Sequence, residues 1–403
     1  MCGIVGFVGD RPSAPVLLEG LARLEYRGYD SAGIAIIEKN KILLKKSKGE
    51  LATLVNLIDK GEKYQSCIGI GHTRWATHGK PSDKNSHPHL SENGKFAIVH
   101  NGIIENYASL KEELIADGYN FKSETDSEVV AALLQKHYNG DTFETIVKVL
   151  SIIEGSYALG ILNNEHPDEF YAVRKASPLI VGISESGNMI ASDIPAVLPI
   201  TRKICYLNDN EIVRLSKDSV EIFDTDKNAI DREVTEIEWD VSAAEKGGYD
   251  HFMIKEIMEQ PKAIRDTIEP RIMDGNINLE GFELSKEFLQ NLDCVHIVAC
   301  GSAYHVGVVG KYIIEELARK PVYCEIASEF RYSNPLVTDK SLVIIISQSG
   351  ETADTLEALK IAKKQGAKIL SIVNVVGSSI ANISDSVLYT WAGPEISVAT
   401  TKA

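Results

Sequence analysis

The chain has 403 residues, 44% hydrophobic and 25% charged, values that exclude disordered, collagen-like and coiled-coil proteins. The length predicts two or three domains, each large enough to bury a core. With 42 Lys and Arg against 57 Asp and Glu, the net charge of −15 repels a phosphate polyanion, so no nucleic-acid partner is expected.

Met1, Cys2 and Gly3 lead straight into a strand-like run, Ile4–Val8, so no signal peptide is expected. The most apolar runs, such as Leu342–Ile346, are far short of a membrane span. The six cysteines form no CxxC pair, which suits a reducing compartment. A soluble, cytoplasmic protein without membrane contact is expected.

Two textures follow one another. Up to about residue 240, short alternating strands mix with amphipathic helices. Ser31–Glu38 and Lys41–Ser47 read as a hairpin around Lys39 and Asn40, and Cys67–Thr73 and Phe96–Asn101 as strands. Tyr157–Asn163, Glu169–Lys175 and Leu179–Ser192 continue the series, with Ile204–Leu215 and Val220–Glu238 as further hairpins. Helices are predicted at Ser13–Tyr26, Ile104–Asp117 and Asp126–Tyr138. Sequential hairpins with helices held apart predict packed layers of sheet and helix.

The small, polar, Gly-paired stretch 241–250 predicts a linker, followed by a polar helix over Phe252–Ile268. The texture changes after about residue 290. Val295–Cys300, Leu342–Ile346 and Ile369–Val375 are near-continuous apolar strands, each followed by a Gly/Ser-rich turn and a helix-like stretch, which predicts a parallel α/β sheet. The domains expected are 1–240, a connecting segment 241–289, and 290–403. The last residues, Glu395–Ala403, read as a cap and first turn of a helix that does not follow, so a fragment is expected.

Loss of Met1 would place a free α-amine beside the Cys2 thiol, and an amine titrating near neutrality can serve as its base. Alone, Cys2 reads as a small apolar residue rather than a nucleophile. Residues 72–79 end a strand and bring Arg74, Trp75, Thr77 and His78 to its tip, where ligand contacts tend to lie. Asn101-Gly102 suits an oxyanion hole, and also an ordinary turn. Asp126, at a helix start, reads as a cap by itself. The histidines between 72 and 100 lack Cys or carboxylate partners at regular spacing, so neither metal nor other cofactor is expected.

Taken in order and spacing, Met1–Ile4, Leu24–Gly33, His72–Gly79, His100–Asn106 and Glu124–Asp126 resemble the N-terminal-nucleophile glutaminase domain of the glutamine–fructose-6-phosphate aminotransferase family. The resemblance covers roughly the first 240 residues and implies an α/β/β/α sandwich. It implies Cys2 as nucleophile with its α-amine as base, and Asn101 and Gly102 as oxyanion hole. Arg74 and Asp126 would bind glutamine's α-carboxylate and α-ammonium, with Thr77 and His78 beside them. Trp75 and Arg27 match gate or channel positions on an ammonia route.

In the second half, Ser347–Thr352 joins a strand to a helix, and its hydroxyls and backbone N–H groups suit an anion. Cys300–His305 holds the same position one unit earlier. Neither turn is a nucleotide loop. Glu325–Arg331, Ser347–Thr352 and Glu395–Ala403 are similar to the sugar-isomerase (SIS) domain of the same family. That implies a doubly wound parallel sheet, with Ser302, Ser347, Gln348, Ser349, Thr352, Val398 and Thr400 around fructose 6-phosphate. Ala303 departs from a Ser common in the family. The resemblance also implies a homodimer, and an isomerase acid/base set outside these 403 residues. Two other readings stay open: a glutaminase serving another acceptor such as phosphoribosyl pyrophosphate, and a non-enzymatic sugar-phosphate sensor.

Overall fold

The computed structural model describes residues 2–25, 30–75, 79–237, 246–397 and 399–403. The chain divides into two compact units, Met1–Val241 and Ser242–Ala403. Among the described residues, no helix is long and apolar enough to cross a membrane.

The first unit is an α/β/β/α sandwich. One sheet has eight strands among the described residues, with β1 (Gly3–Gly9) and β3 (Ile68–Arg74) near its middle and β2 (Ser31–Glu38) second from one edge. β3 lies between β1 and β2, antiparallel to both. The second sheet has seven strands, built around β4 (Phe96–Ile104), β5 (Gly155–Asn163) and β6 (Glu169–Lys175).

Alternation along the strands sets the layers, because successive side chains point to opposite faces. In β1, Val5 and Phe7 face helix α1 (Ser13–Ala22), while Ile4 and Val8 face the other sheet. In β4, Phe96 and Ile98 pack beneath helices α2 (Glu128–His137) and α3 (Thr142–Leu150), while Ala97 and Val99 face inward. Three separate apolar cores therefore lie between four layers. Burial of one such Phe contributes roughly 1.5–3 kcal/mol.

Some expectations need correction. Residues 204–215 form no hairpin: Lys203–Tyr206 belongs to the first sheet and Ile212–Ser216 to the second. The hairpin at this point joins Ile212–Ser216 to Val220–Phe223. Residues 104–106 belong to the end of β4 and a turn, so the helix expected at Ile104 begins at Tyr107. Helix α3 was not expected at all. It is amphipathic and capped by Asp141, whose carboxylate accepts the Glu144 N–H at 3.0 Å.

The second unit opens with helix α4 (Phe252–Ile268), which agrees with the expected span and carries Pro261 inside it. A five-stranded, all-parallel sheet follows: β7 (Cys294–Ala299), β8 (Val322–Ile326), β9 (Ser341–Ser347), β10 (Lys368–Val373) and β11 (Ser386–Tyr389). Its spatial order is β8-β7-β9-β10-β11, so chain direction across the sheet reverses between β7 and β9. Helices α5 (Ser302–Ala318) and α6 (Ala353–Lys364) start directly beyond β7 and β9. Ligands in doubly wound sheets bind at the carboxyl ends of the strands flanking such a switch point.

Candidate active site and anion site

In the first unit, the start of β1 and the end of β3 lie side by side: Gly3 pairs with Thr73, which puts Cys2 next to Arg74. The Cys2 thiol donates to the Trp75 carbonyl at 3.5 Å and accepts the Trp75 N–H at 3.3 Å. Burial pushes this thiol above its ordinary range, and the Trp75 N–H and the Arg74 charge oppose that push. A buried thiol without a base is a poor nucleophile, so the site needs a proton acceptor close to Cys2.

Asn101 crosses from the other sheet. Its Nδ2 donates to the Cys2 carbonyl at 3.0 Å and carries a second proton besides. The amide is oriented from behind: His72 Nε2 lies 3.0 Å from Asn101 Oδ1 and 3.1 Å from the His100 carbonyl. Both partners are acceptors, so Nε2 carries the imidazole proton and Asn101 must present its NH2 to Cys2. Full burial drives the His72 pKa down to about 3, so the ring is neutral. His87 stacks on it with ring centres 4.3 Å apart, and His87 Nδ1 accepts the His100 N–H at 3.3 Å.

Gly102 follows with φ of +125°, and a Cβ there would lie 2.1 Å from the Ser156 carbonyl oxygen. Only glycine fits this backbone. Arg74 and Asp126 are nearly sealed, at 4% and 5% exposure. Arg74 Nη2 donates to the Gly79 carbonyl at 3.1 Å. Burial lowers the guanidinium from its ordinary value, opposed by Asp30, Cys2 and Asp126, and it stays charged. Asp126 accepts the Ile104 N–H at 2.8 Å and the Ser127 hydroxyl at 3.3 Å, and His100 Nδ1 is 2.8 Å from the same hydroxyl. Asp126 does not act as a helix cap. Instead it ties the end of β4 to the start of α2.

Trp75 is 46% exposed at the tip of β3. Arg27, Thr77, His78 and Val398 lie outside the described residues. Sequence reasoning missed His72. The available signal was its place on β3, two residues before Arg74 and hence on the same strand face. No three His, Cys, Asp or Glu side chains among the described residues are arranged to hold a metal ion.

In the second unit, Ala299 of β7 pairs with Ile346 of β9, so Ser302 and Ser347–Thr352 leave neighbouring strand ends at the switch point. Ser347 Oγ lies 3.2 Å from Thr352 Oγ1 and accepts the Gly350 N–H at 3.1 Å. Ser349 Oγ accepts the Glu351 N–H at 3.2 Å. Gly350 has φ of +65°, and a Cβ would lie 2.0 Å from Ser378 Oγ, so the turn can run close to its neighbour. Glu351, the one acid in the turn, is held away by Ser379, whose N–H and hydroxyl donate at 2.7 and 2.9 Å. Hydroxyls, the N-terminus of α6 and a diverted carboxylate are the features that suit an anion. Gln348 lies within the same turn, half-buried, as does Ser349. Thr400 lies on a segment pinned from α4, where Glu256 accepts the Ile396 and Ser397 N–H groups at 2.6 and 3.0 Å.

Residues 72–199 match the glutamine amidotransferase domain family and residues 289–403 the SIS domain family. The chain is 60% identical, over its full length, to glutamine–fructose-6-phosphate aminotransferase [isomerizing] of Caldanaerobacter subterraneus subsp. tengcongensis, covering 66% of that protein. It is 51% identical, again over its full length, to the protein of that name from Aquifex aeolicus, covering 67% of it. The chain thus spans about two thirds of the length of these relatives. The glutamine phosphoribosylpyrophosphate amidotransferase of B. subtilis superposes with a TM-score of 0.50 at 16% identity, covering 96% of this chain and 90% of that one, a likeness of fold alone.

Proposed function

We propose that this chain, which belongs to the glutamine–fructose-6-phosphate aminotransferase family, hydrolyses glutamine at Cys2 and binds a sugar phosphate at Ser347–Thr352. The observation that carries the reading is the convergence of Cys2, Asn101, Arg74 and Asp126 at adjoining strand ends of two sheets.

Removal of Met1 frees the Cys2 α-amine, which takes the thiol proton. The thiolate adds to glutamine's γ-carbonyl, and the second proton of Asn101 Nδ2 and the Gly102 N–H stabilise the oxyanion. On collapse the Cys2 α-ammonium returns its proton to the leaving nitrogen, so ammonia departs and a γ-glutamyl thioester remains. Water, giving a proton to the same amine, then adds to the thioester and releases glutamate and the Cys2 thiol. Arg74 holds the α-carboxylate as a planar fork and Asp126 the α-ammonium, with Thr77 and His78 completing the pocket. Trp75 and Arg27 gate the ammonia route.

In the second unit, Ser302, Ser347, Gln348, Ser349 and Thr352 hold the phosphate of fructose 6-phosphate, with Val398 and Thr400 near the sugar. The family-length protein would pass ammonia to that sugar and yield glucosamine 6-phosphate and glutamate. The glutaminase is proposed to lie wholly within these 403 residues. A homodimer, a cytoplasmic location and the lack of a nucleic-acid partner belong to the same reading, supported by family membership and a net charge of −15.

Asn101→Ala should lower kcat for glutamate release by about 100- to 1000-fold, the usual cost of one oxyanion donor. His72→Leu, which frees the Asn101 amide to turn, should lower kcat by about 10- to 100-fold with KM changed less than about threefold. His72→Gln restores an N–H near the Nε2 position and should recover most of the loss. Equal losses for the Leu and Gln variants would show that His72 only fills space.

For the second unit, the double change Ser347→Ala, Thr352→Ala should weaken fructose 6-phosphate binding at least about tenfold by calorimetry, at roughly 1 kcal/mol per hydrogen bond. Unchanged binding would place the sugar phosphate elsewhere.

A further inference from the structure

We propose that Cys294, His296 and Glu325 form a reactive-thiol site on the second unit, one that takes small disulfides by thiol–disulfide exchange. Cys294 and His296 are two residues apart on β7, so both side chains leave the same face. Cys294 Sγ lies 3.6 Å from His296 Nε2, and His296 Nδ1 lies 3.0 Å from Glu325 Oε2. The parallel register, pairing His296 with Tyr323 and Val298 with Glu325, brings the carboxylate across from β8.

The proton positions follow from the partners. A carboxylate only accepts, so His296 Nδ1 carries the ring proton and Nε2 aims its lone pair at the thiol. This is the nucleophile–base–orienter arrangement that activates cysteine in hydrolases. The ring is fixed by Tyr323, with centres 5.1 Å apart, and by the edge of Phe330 at 6.1 Å.

A second polar group reaches the sulfur. Ser341 Oγ is 3.6 Å from Cys294 Sγ and already accepts the Thr338 N–H at 3.0 Å, so its own O–H can point at the sulfur. Cys294 is only half-buried, which leaves a path for a reagent. Cys67, Cys205 and Cys324 meet only backbone carbonyls, which accept from a thiol and do nothing to ionise it.

The reacting thiol is remote from the anion site, although Glu325 lies near the carboxyl end of β8. Cys294 begins β7 and Ser302 follows its far end, about 20 Å away at roughly 3.3 Å per residue. In the reaction, the Cys294 thiol proton moves to His296 Nε2 and the thiolate attacks one sulfur of a disulfide R–S–S–R. The R–S–S–R bond breaks as the Cys294–S–S–R bond forms, and the departing thiolate takes the proton from His296. Cys294 is oxidised and the leaving sulfur reduced, so no further oxidant is needed.

The test is exposure of the folded chain to glutathione disulfide at neutral pH, with the modification of each cysteine followed by peptide mass spectrometry. Cys294 should acquire glutathione at least about tenfold faster than Cys324, a half-buried thiol of the same unit that serves as reference. His296→Gln should slow Cys294 by about tenfold without moving Cys324, and Glu325→Gln should slow it in the same direction by less. A faster Cys324 in the His296 variant would report unfolding, and Glu325→Gln, at a half-exposed position, then decides. Cys294 reacting no faster than Cys324, or at an unchanged rate in the Glu325 variant, would overturn the proposal. Because the readout is thiol modification, it is independent of any glutamine chemistry at Cys2.

Discussion

Replacing Cys2 by Ser should lower glutamate release from glutamine by about a thousandfold or more while leaving the fold intact. Ser differs from Cys by one atom, and the half-buried Cys2 side chain makes two contacts, both to Trp75 backbone atoms, that a hydroxyl can also make. What the substitution removes is the polarisable sulfur nucleophile and the thioester it forms. Arg74, Asp126 and Asn101 stay in place, so glutamine should still bind, and KM should move far less than kcat. A Ser variant with a few per cent of wild-type turnover would mean that hydrolysis does not pass through Cys2.

Acid should unfold the first unit through its buried histidines. His72 is 1% exposed, and burial holds its pKa at about 3 against an ordinary 6.5. Between those values the unfolded chain binds a proton that the folded chain refuses. Stability is therefore full above pH 6.5 and is lost as pH falls toward 3. At about 1.4 kcal/mol per unit, His72 alone accounts for roughly 5 kcal/mol over that window. His87, His89 and His100 are displaced in the same direction by the same desolvation and steepen the loss. Such a total is comparable to the whole stability of a domain. Thermal melting followed from pH 7 to pH 5 should show the transition of this unit falling steeply, and His72→Gln should flatten the slope. A melting temperature independent of pH over that range would contradict the assignment of neutral, proton-refusing histidines.

Much of the architecture was legible because period-2 alternation marks half-buried strands, and Lys39 and Asn40, both with positive φ, close the hairpin that their sequence implied. The break at residues 207–211 was misread for a physical reason. Turn residues followed by a fresh alternating run look the same whether the next strand pairs with the last one or joins a different sheet. Helix α3 carried a readable signal in Asp141 and Glu144, but its single amphipathic span of Thr142–Leu150 follows helix α2 after only a short turn and is easily read as the approach to the next strand.

In the candidate site, the motif residues could be picked out because their order along the chain is distinctive. The grip of His72 on Asn101 could not, since it depends on how β3 and β4, from different sheets, face one another. The Cys294–His296 pair was not singled out, because the strand expected at Val295–Cys300 leaves Cys294 outside it, and Glu325 joins them only through the parallel register of β7 and β8. Tertiary juxtapositions of this kind leave no local periodicity to detect.

The central claim is that Cys2, with Met1 removed, carries the γ-glutamyl group. The most direct measurement is acid-quench of the enzyme during turnover, followed by intact and peptide mass spectrometry. The account predicts a chain that begins at Cys2 and bears one γ-glutamyl adduct on that residue, cleared by hydroxylamine as a thioester is. Steady glutamate release from a chain that still carries Met1, or turnover with no adduct on Cys2, would contradict it.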